Sequence, residues 1–262
     1  MRLVACLGQG LAAMITVSIV SHGHGEMVNQ LARSLIALHE VSHILVTLNC
    51  RENLDLPHHP EVEVIQNECR DGFGRNHNRA FQRSREPYFC VMNPDVVLIQ
   101  NPFPSLLQTM GETGAGLAAP LVYNAAHTLQ PSARYFPTIA SLTRKLLRGE
   151  TGAYPPSAGS APTYPDWVAG MFMLARSDVY ADVNGFDKAY FLYYEDVDLC
   201  ARLWAAGHSV VLDPNAAIIH DAQKKSHSDP VHFLMHLRSL FRYLRKQRSG
   251  FSGGPCRPPG AH

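Results

Sequence analysis

The stretch Tyr88-Phe-Cys-Val-Met-Asn-Pro-Asp95 decides what kind of fold this chain adopts. Its first five residues predict a buried strand, and Asn93-Pro94-Asp95 ends that strand in a polar turn. A second acidic cluster lies in Phe191–Asp198, Phe-Leu-Tyr-Tyr-Glu-Asp-Val-Asp, where a helix is predicted to begin. In α/β folds, strand ends and helix starts face the ligand crevice. Two acidic clusters at one crevice predict an anionic substrate held through a metal ion and a general base.

Outward from this stretch, short apolar strands alternate with helical patterns. The β-α-β-β-α-β order of the first half predicts an α/β fold with a mainly parallel central sheet and helices on both faces. Strands are predicted at Ile15–Val20, Ile44–Leu48, Val62–Ile65, Tyr88–Met92, Gly116–Ala119, Trp167–Ala175 and Ser209–Leu212, and helices over Met27–Leu38, Asn76–Arg85 and Glu195–Ala206.

The composition is that of an ordinary globular protein of 262 residues, with a net charge of +1 that exerts no general pull on nucleic acid. Its six cysteines form no Cys-x-x-Cys pair, so we expect reduced thiols. No apolar run approaches the roughly 18–20 residues that span a bilayer. Residues 1–13 imitate a signal peptide only faintly, because a strand follows without a cleavage pattern. We expect Met14 to be an alternative start, residues 1–13 an extension and residues 249–262 a disordered tail.

Taken in order, the motifs of the chain resemble those of family 2 glycosyltransferases with the GT-A fold, nearest the rhamnosyltransferase-like branch. The matching segments are Val17–Val20, Gly72-Phe73 with Asn78, Asn93-Pro94-Asp95, Gln130–Pro137, Asp166–Gly170, Gly185–Asp187, Phe191–Asp198 and His220. The resemblance implies transfer of a sugar from a nucleotide donor to an acceptor hydroxyl, with inversion at the anomeric carbon. For this branch we expect rhamnose from dTDP-rhamnose and a role in cell-envelope polysaccharide or lipopolysaccharide synthesis.

The resemblance also implies a divalent cation, Mg²⁺ or Mn²⁺, which offsets the charge of the departing diphosphate. Asp95 fits the last position of the family's metal-binding motif, and Asn93 stands where an Asp is frequent. His220 matches a histidine that binds metal in some relatives. The plainer alternatives are that Asn93-Pro94-Asp95 is only a turn after a strand and that His220 is structural.

The family pattern makes Asp196 the general base that removes the proton of the acceptor hydroxyl. A helix N-terminus favours a carboxylate by roughly 0.3–1 kcal/mol, which helps to keep a base ionised. We expect Glu195 to orient a neighbour or to contact the acceptor. The alternative is that Glu195, Asp196 and Asp198 only balance the helix dipole, and for Asp198 this is the interpretation we adopt.

The nucleotide-sugar site is expected at the end of the first strand and around the second helix. The residues assigned to it are Ser21, His22, Gly23, Asn49, Gly72, Phe73, Asn78, Asn93, Pro94 and Asp95. Asn49 stands where relatives usually carry an Asp, and Cys69-Arg70-Asp71 replaces a more usual Glu-Asn-Leu. A carboxylate contact to a pyrimidine base is therefore missing or supplied elsewhere.

The acceptor is expected to contact Asp166, Trp167 and Gly170, with the indole packing against a sugar ring. The alternative is that Trp167 only fills the core. We expect one domain over residues 14–248, with a nucleotide-sugar-binding half at about 14–120 and an acceptor and catalytic half at about 121–248. Within the second half, Gly149–Pro165 is too rich in Pro, Gly, Ser and Ala to pack, and it predicts a mobile loop that orders over the donor.

The last predicted helix, His232–Arg248, is amphipathic and basic. Such a helix either caps a core or lies on an anionic membrane. We expect a cytoplasmic enzyme that acts on a glycan or lipid-linked glycan, in peripheral contact with the inner membrane through this helix.

Two other functions compete with this hypothesis. A nucleotidyltransferase would need a basic glycine-rich loop after the first strand, and His22-Gly-His-Gly25 contains no Lys or Arg. A binding module would hold a sugar nucleotide or a glycan without turnover. The joint presence of Asp95, Glu195 and Asp196 argues against the binding module.

Overall fold

The computed structural model describes residues 15–149, 151–154, 161–220 and 230–250. The strands within these residues are β1 (Ile15–Ser21), β2 (Val41–Leu48), β3 (Val62–Gln66), β4 (Tyr88–Met92), β5 (Val96–Val97), β6 (Leu117–Tyr123), β7 (Ala133–Arg134), β8 (Trp167–Val168), β9 (Phe172–Arg176) and β10 (Val210–His220). The helices are α1 (Glu26–Ile36), α2 (Phe73–Phe81), α3 (Phe103–Thr113), α4 (Ile139–Arg148), α5 (Ser177–Asp182), α6 (Glu195–Ala205) and α7 (Pro230–Gly250).

Eight of the strands form one sheet in the order β3-β2-β1-β4-β9-β6-β10-β5, and β7 pairs with β8 in a small second sheet. The pairs β2–β3, β1–β2, β1–β4 and β6–β10 are parallel. The antiparallel pairs involve β9, which lies between β4 and β6, and β5, which pairs with the end of β10. The predicted mainly parallel sheet is confirmed.

The core lies on both faces of the large sheet. Along β4, Cys90 and Met92 belong to one hydrophobic cluster and Phe89 and Val91 to the other. The first cluster includes side chains of α1 and α3, and the second includes side chains of α5 and α6. Because successive side chains of a strand point to opposite faces, a strand covered on both faces is apolar throughout. This explains why β4 reads as an unbroken apolar run.

The predicted strand Trp167–Ala175 is in fact two strands. β8 ends at Val168 and β9 begins at Phe172, and the backbone between them is held by other parts of the chain. Ala169 N donates to Ser132 O at 2.8 Å, and Asn93 N donates to Met171 O at 2.9 Å. The interruption contains Gly170.

Three helices were not predicted. In α3, buried Phe103, Leu106, Leu107 and Met110 recur at helical spacing, so the signal was present. By contrast, α4 buries no residue, and α5 has only six residues.

The expectation that Gly149–Pro165 lacks packing is wrong at both ends of the segment. Tyr154 is buried, and its N–H donates to Ala133 O at 2.9 Å. Thr163 and Leu212 exchange backbone hydrogen bonds of 3.1 and 2.8 Å. Residues 150 and 155–160 lie outside the described residues, so the predicted mobile loop stays a prediction.

The ends of the chain bear on two further expectations. Residues 1–13 and 251–262 lie outside the described residues, whereas α7 runs through Gly250, two residues into the expected tail. Among the described residues, none of the helices combines the length and the apolar character needed to cross a bilayer. The four cysteines that the described ranges contain are all free.

Candidate active site

The turn Asn93-Pro94-Asp95 brings its carboxylate to the end of β10. Val96 of β5 pairs with His220 of β10 in the antiparallel β5–β10 contact. Asp95 directly precedes Val96, so its side chain lies next to that of His220. His220 Nε2 lies 3.2 Å from Asp95 Oδ1. Burial by itself would raise the pKa of Asp95. The adjacent His220 imidazole and a backbone N–H lower it by more, so the pKa lies below its ordinary value. Asp95 is therefore a carboxylate that favours the ionised form and lies beside an imidazole, and the metal role of both residues stays a prediction.

The two acidic clusters meet at consecutive residues of the β8–β9 connection. Asn93 N donates to Met171 O at 2.9 Å, and Gly170 N donates to Asp196 Oδ2 at 3.0 Å. A Cβ built on Gly170 would lie 3.6 Å from the Cβ of Asp196. The structure thus brings together Asn93, Asp95 and Asp196, which are about a hundred residues apart in sequence.

Asp196 lies in the first turn of α6, and two backbone donors hold its carboxylate. Gly170 N binds Oδ2, and Val197 N binds Oδ1 at 2.8 Å. Desolvation raises the pKa of Asp196, although these two donors and the charge of Arg134 oppose the rise. As a whole residue, Asp196 is partly exposed.

Glu195 precedes Asp196 and is buried. Desolvation, followed by the charge of Asp196, raises the pKa of Glu195 well above the ordinary carboxyl range. Its Oε2 atom is buried and has no hydrogen-bond partner among the described residues. The two adjacent carboxyl groups therefore differ: Glu195 favours the protonated form more strongly than a surface glutamate does.

Arg134 was part of a matching segment but received no predicted role, and in the structure its charge acts on Asp196. It lies on β7, and its guanidinium carbon is 5.9 Å from the centre of the Trp167 ring, a cation–π distance. Its Nε and Nη1 donate to the carbonyl oxygens of Pro131 and Thr151 at 2.9 and 3.0 Å. Its positive charge lowers the pKa of both Asp196 and Tyr194 against the effect of burial. The family-matching segment Gln130–Pro137 contains Arg134, but a single arginine within it carries no signal for this role.

The turn before α6 is held in an unusual backbone conformation. Tyr193 and Tyr194 have φ angles of 70° and 65°, a region that residues with a Cβ rarely adopt. The helix α7 covers this turn, since Ser239 Oγ donates to Leu192 O at 2.9 Å and Tyr193 Oη lies 3.0 Å from His232 Nδ1. The left-handed pair turns the chain so that Glu195 and Asp196 begin the helix at the crevice.

The loop after β1 is organised by Glu52, which was not among the predicted residues. Its two carboxylate oxygens each accept a hydrogen bond of 3.1 Å, from Gly23 N and Gly25 N. Gly23 has a φ of 80°, in the left-handed region that glycine enters freely. Ser21 is fully buried and His22 is exposed, so of these neighbours His22 and Gly23 are the ones open to a ligand. Burial, and next the charge of Arg70, lower the pKa of His22.

Asn49 makes several contacts within the protein, and its predicted nucleotide contact stays a prediction. Its Oδ1 accepts from Asp71 N at 2.8 Å and from Asn67 Nδ2 at 2.9 Å, while its Nδ2 donates to Asp71 O at 2.9 Å. The side chain is buried with all these contacts made inside the protein. The amide thus holds the Asp71 loop against β2, and the missing base-reading carboxylate is not replaced by this residue.

Asn78 and Gly72, also assigned to the nucleotide site, contact other parts of the protein as well. The buried Asn78 amide binds the turn at Phe186, donating to its carbonyl at 2.8 Å and accepting from its N–H at 2.9 Å. A Cβ on Gly72 would lie 2.8 Å from Phe191 O, so this glycine allows close packing against the turn before α6. Phe73 remains at the crevice, since its ring borders Gly170.

Of the predicted acceptor residues, Asp166 is buried in contacts within the protein, whereas Trp167 and Gly170 lie next to Arg134 and Asp196. The buried Asp166 carboxylate accepts from Phe136 N at 2.7 Å and so orders the backbone behind the crevice. Trp167 is partly exposed beneath Arg134, and its Nε1 donates to Tyr135 O at 3.0 Å. The indole therefore packs on the protein with one side and supports the guanidinium with the other, while Gly170 contacts Asp196 directly.

A divalent cation fits the pair Asp95–His220 as a partial site. Carboxylate oxygen and neutral imidazole nitrogen are both ligands for Mn²⁺, and Asp95 Oδ1 is buried without a well-directed hydrogen bond. The described residues contain no group of three or more His, Cys, Asp or Glu side chains that could hold a metal. A cation held here would need further oxygen ligands, which a diphosphate can supply.

Comparison of the sequence with known proteins gives a consistent family. The chain is 30% identical over 250 residues to rhamnosyltransferase WbbL of Escherichia coli (strain K12), covering 90% of this chain and 94% of that protein. It is 29% identical over 223 residues to the N-acetylglucosaminyl-diphospho-decaprenol L-rhamnosyltransferase of Mycobacterium tuberculosis (strain ATCC 25618 / H37Rv), covering 76% of this chain and 72% of that protein.

Two solved structures share the fold at low sequence identity. GalNAc-T7 with UDP, GalNAc and Mn²⁺ superposes with a TM-score of 0.66 at 14% identity, covering 90% of this chain and 48% of that chain. The mannosyltransferase PcManGT from Pyrobaculum calidifontis, in complex with GDP-Man and Mn²⁺, gives 0.61 at 11%, covering 91% of this chain and 65% of that chain. The profile of the family described as "Glycosyltransferase like family 2" matches residues 13–242. The chain belongs to that family, and it is a glycosyltransferase with the GT-A fold.

Proposed function

We propose that this enzyme transfers rhamnose from dTDP-rhamnose to a hydroxyl of a glycan, with inversion and with the help of Mg²⁺ or Mn²⁺. The observation that carries the proposal is the hydrogen bonding of the β8–β9 connection. Met171 O binds the turn that carries Asp95, and Gly170 N binds Asp196. One loop therefore separates a carboxylate–imidazole pair, suited to the diphosphate side, from a carboxylate suited to the hydroxyl side.

In the proposed reaction, Asp196 accepts the proton of the acceptor hydroxyl as its oxygen attacks the anomeric carbon. The bond between that carbon and the diphosphate oxygen breaks, and its electron pair leaves with the nucleoside diphosphate. Gly170 N and Val197 N hold the Asp196 carboxylate in one orientation, which limits the rearrangement needed for proton transfer. Attack from the side opposite the leaving group gives inversion.

Asp95 and His220 would hold the divalent cation, with Asn93 shaping the turn that carries Asp95. When bound, the cation neutralises negative charge on the departing diphosphate. His22, Gly23 and Phe73 border the space proposed for the donor, and Trp167, Gly170 and Arg134 border the space proposed for the acceptor.

The sugar and the acceptor are proposed from the relatives. Both sequence relatives are named as rhamnosyltransferases, and one name specifies a diphospho-decaprenol acceptor. We propose a lipid-linked glycan acceptor, a role in cell-envelope polysaccharide or lipopolysaccharide synthesis, and action at the cytoplasmic face of the inner membrane. The expected peripheral contact through α7 belongs to this proposal.

The donor is tested by a panel of nucleotide sugars with Mn²⁺, read by release of free nucleoside diphosphate. We expect dTDP-rhamnose to give the fastest release, and Asp196→Asn to lower transfer at least ~100-fold while donor binding is retained. The exposed Asp178→Asn is the matched control and should retain activity. Turnover by Asp196→Asn near that of the wild type would contradict its role as the base. Release of pyrophosphate would instead indicate a nucleotidyltransferase, and binding without release a binding module.

The metal pair is tested by calorimetry of donor binding. Asp95→Ala should weaken binding at least about tenfold when Mn²⁺ is present and change it little in EDTA, because the cation makes the contact with the diphosphate. An equal loss in both conditions would show that the carboxylate acts on the donor without a metal.

A further inference from the structure

Helix α4 projects from the protein and buries none of its residues. The chain leaves the body of the protein after Tyr135 and returns at Gly152, where Tyr135 N donates to Gly152 O at 3.1 Å. Between these points the ten residues Ile139–Arg148 form a helix in which no residue is buried. Helices shorter than about 12–15 residues are marginal in isolation and usually gain stability by packing an apolar face. Here that face is open.

The exposed residues of α4 are large apolar side chains beside basic ones. Leu146 and Leu147 are 85% and 76% exposed, and Ile139 is also exposed. Lys145 and Arg148 lie in the last turn. A capping box between Thr138 and Ser141 and a left-handed Gly149 define the ends of the helix, so it is a formed element of the structure.

Helix α7 presents a surface of the same kind. Its buried side, with Ser239 and Tyr243, packs on the protein. Leu234 and Phe241 are 67% and 68% exposed, and Arg238 is exposed on that outer side. The two helices are anchored at the same hydrophobic cluster, around Tyr190 and Val197. Phe136, which precedes α4, and Leu244 of α7 both pack against it. That cluster adjoins Asp196.

The charge of these helices differs from that of the remaining chain. They contain eight of the 23 Lys and Arg residues and none of the 22 Asp and Glu residues. Interleaved basic and apolar side chains are typical of helices that lie in the headgroup region of anionic lipid. Each Lys or Arg near such a surface contributes on the order of a fivefold gain in binding. An acidic protein partner would match the charge but not the exposed leucines on both helices.

We propose that α4 and α7 together form a lipid-docking surface, through which the enzyme binds an anionic membrane with its acceptor crevice at the lipid. The surface consists of Ile139, Lys145, Leu146, Leu147 and Arg148 on α4, and Leu234, Arg238 and Phe241 on α7. This extends the contact proposed for α7 alone to a two-helix surface in which α4 supplies the more exposed apolar residues. It draws its purpose from the proposed lipid-linked acceptor, but its test needs no turnover.

The experiment measures co-sedimentation of the full chain with vesicles. One set contains phosphatidylglycerol and phosphatidylcholine in equal parts, and the other contains phosphatidylcholine alone. The wild-type protein should bind the first set and not the second. Leu146→Ser/Leu147→Ser and Lys145→Glu/Arg148→Glu should each weaken binding at least about tenfold. Because α4 buries no residue, both variants should keep the wild-type melting temperature.

Two control variants make matching changes elsewhere on the surface. Val64→Ser/Ile99→Ser removes two other exposed apolar side chains, and Arg83→Glu/Arg85→Glu makes the same charge reversal after α2. Both should bind as the wild type does. Wild-type protein that ignores anionic vesicles, or α4 variants that bind them as well as the wild type, would overturn the proposal. A third outcome would also overturn it: a wild-type protein that is a dimer and does not bind vesicles, and that Leu146→Ser/Leu147→Ser converts into a monomer. The surface would then be a contact between two copies of the chain.

Release of nucleoside diphosphate with a water-soluble acceptor separates this proposal from the proposed function. The α4 variants should keep that release at the wild-type rate. Vesicle binding by a protein without transferase turnover would leave the docking surface standing and remove the proposed reaction.

Discussion

At the scale of single residues, the candidate base depends on neighbours far away in sequence. Burial disfavours the charged form of Asp196, whereas Gly170 N, Val197 N and Arg134 favour it. A carboxylate with a raised pKa is a stronger base than a surface aspartate, and the two backbone donors and the charge of Arg134 limit the rise. Arg134 therefore affects Asp196 through its positive charge.

Replacement of Arg134 by Met should move the acidic limb of the pH profile of kcat/KM for the acceptor to higher pH. Loss of the positive charge disfavours the carboxylate, so the pKa of Asp196 rises, and the active deprotonated form is reached only at higher pH. The measurement is the pH dependence of nucleoside diphosphate release with saturating donor. Arg134→Lys, which keeps the charge, should shift the limb less. Superimposable profiles for Arg134→Met and wild type would show that this charge does not govern the base.

Two glycines near the catalytic turn should respond differently to alanine. A Cβ at Gly72 would lie 2.8 Å from Phe191 O, a backbone atom that cannot move without shifting the turn before α6. Gly72→Ala should therefore lower the free energy of unfolding by about 1–3 kcal/mol. At Gly170 the nearest atoms would lie at 3.5 and 3.6 Å, so Gly170→Ala should stay within about 1 kcal/mol of the wild type. Urea denaturation of both variants gives the comparison, and equal losses would contradict it.

At the scale of elements, α7 is joined to the first turn of α6 by an ion pair. Lys246 Nζ binds Asp198 Oδ1 at 2.6 Å and Asp187 Oδ2 at 3.0 Å. The fully buried Asp198 also accepts from Arg202 Nε at 2.7 Å. Asp198 is thus structural, as expected from its sequence position, but its role is an ion pair that ties two helices together. The predicted alternative that the last helix caps the protein describes this inner side of α7.

Lys246→Met should loosen α7 and disturb the base at the same time. It leaves the buried Asp198 with one cation in place of two, and the free energy of unfolding should fall by about 1–3 kcal/mol. Because Asp198 and Asp196 share the first turn of α6, kcat should also fall while the KM for the donor changes little. Arg238→Met, on the exposed side of the same helix, should change neither quantity. A Lys246→Met variant with wild-type stability would show that α7 is held by its apolar contacts alone.

The elements that the sequence predicted are those with a periodic apolar signal. The strand Tyr88–Met92 was predicted to the residue, and α6 differs from its prediction by one residue at its end. The helix α4 was missed although Ile139, Leu142 and Leu146 recur at helical spacing, so its signal was present in the sequence. Motifs predicted roles for Asp95, Asp196 and His220, and these roles stay predictions, whereas Glu52 and Arg134 were found through contacts that join distant segments. Such contacts leave no local pattern in a single sequence.

At the scale of the whole molecule, the two predicted halves share their structure. β4 from the first half pairs with β1 on one side and with β9 from the second half on the other. Each of the two large hydrophobic clusters draws residues from both halves, for example Ile19 with Phe172 in one and Leu45 with Trp204 in the other. Neither half has a core that is complete without its partner.

Residues 14–248 should therefore unfold as one cooperative unit. Both tryptophans, Trp167 and Trp204, lie in the second half, so their fluorescence reports on that half alone. Hydrogen exchange of the β1 and β2 amides reports on the first half. With clusters shared between the halves, loss of one exposes the apolar surface of the other, and the two probes should give the same urea midpoint. Two separate midpoints, with the tryptophan signal changing while β1 and β2 stay protected, would show two domains that unfold independently.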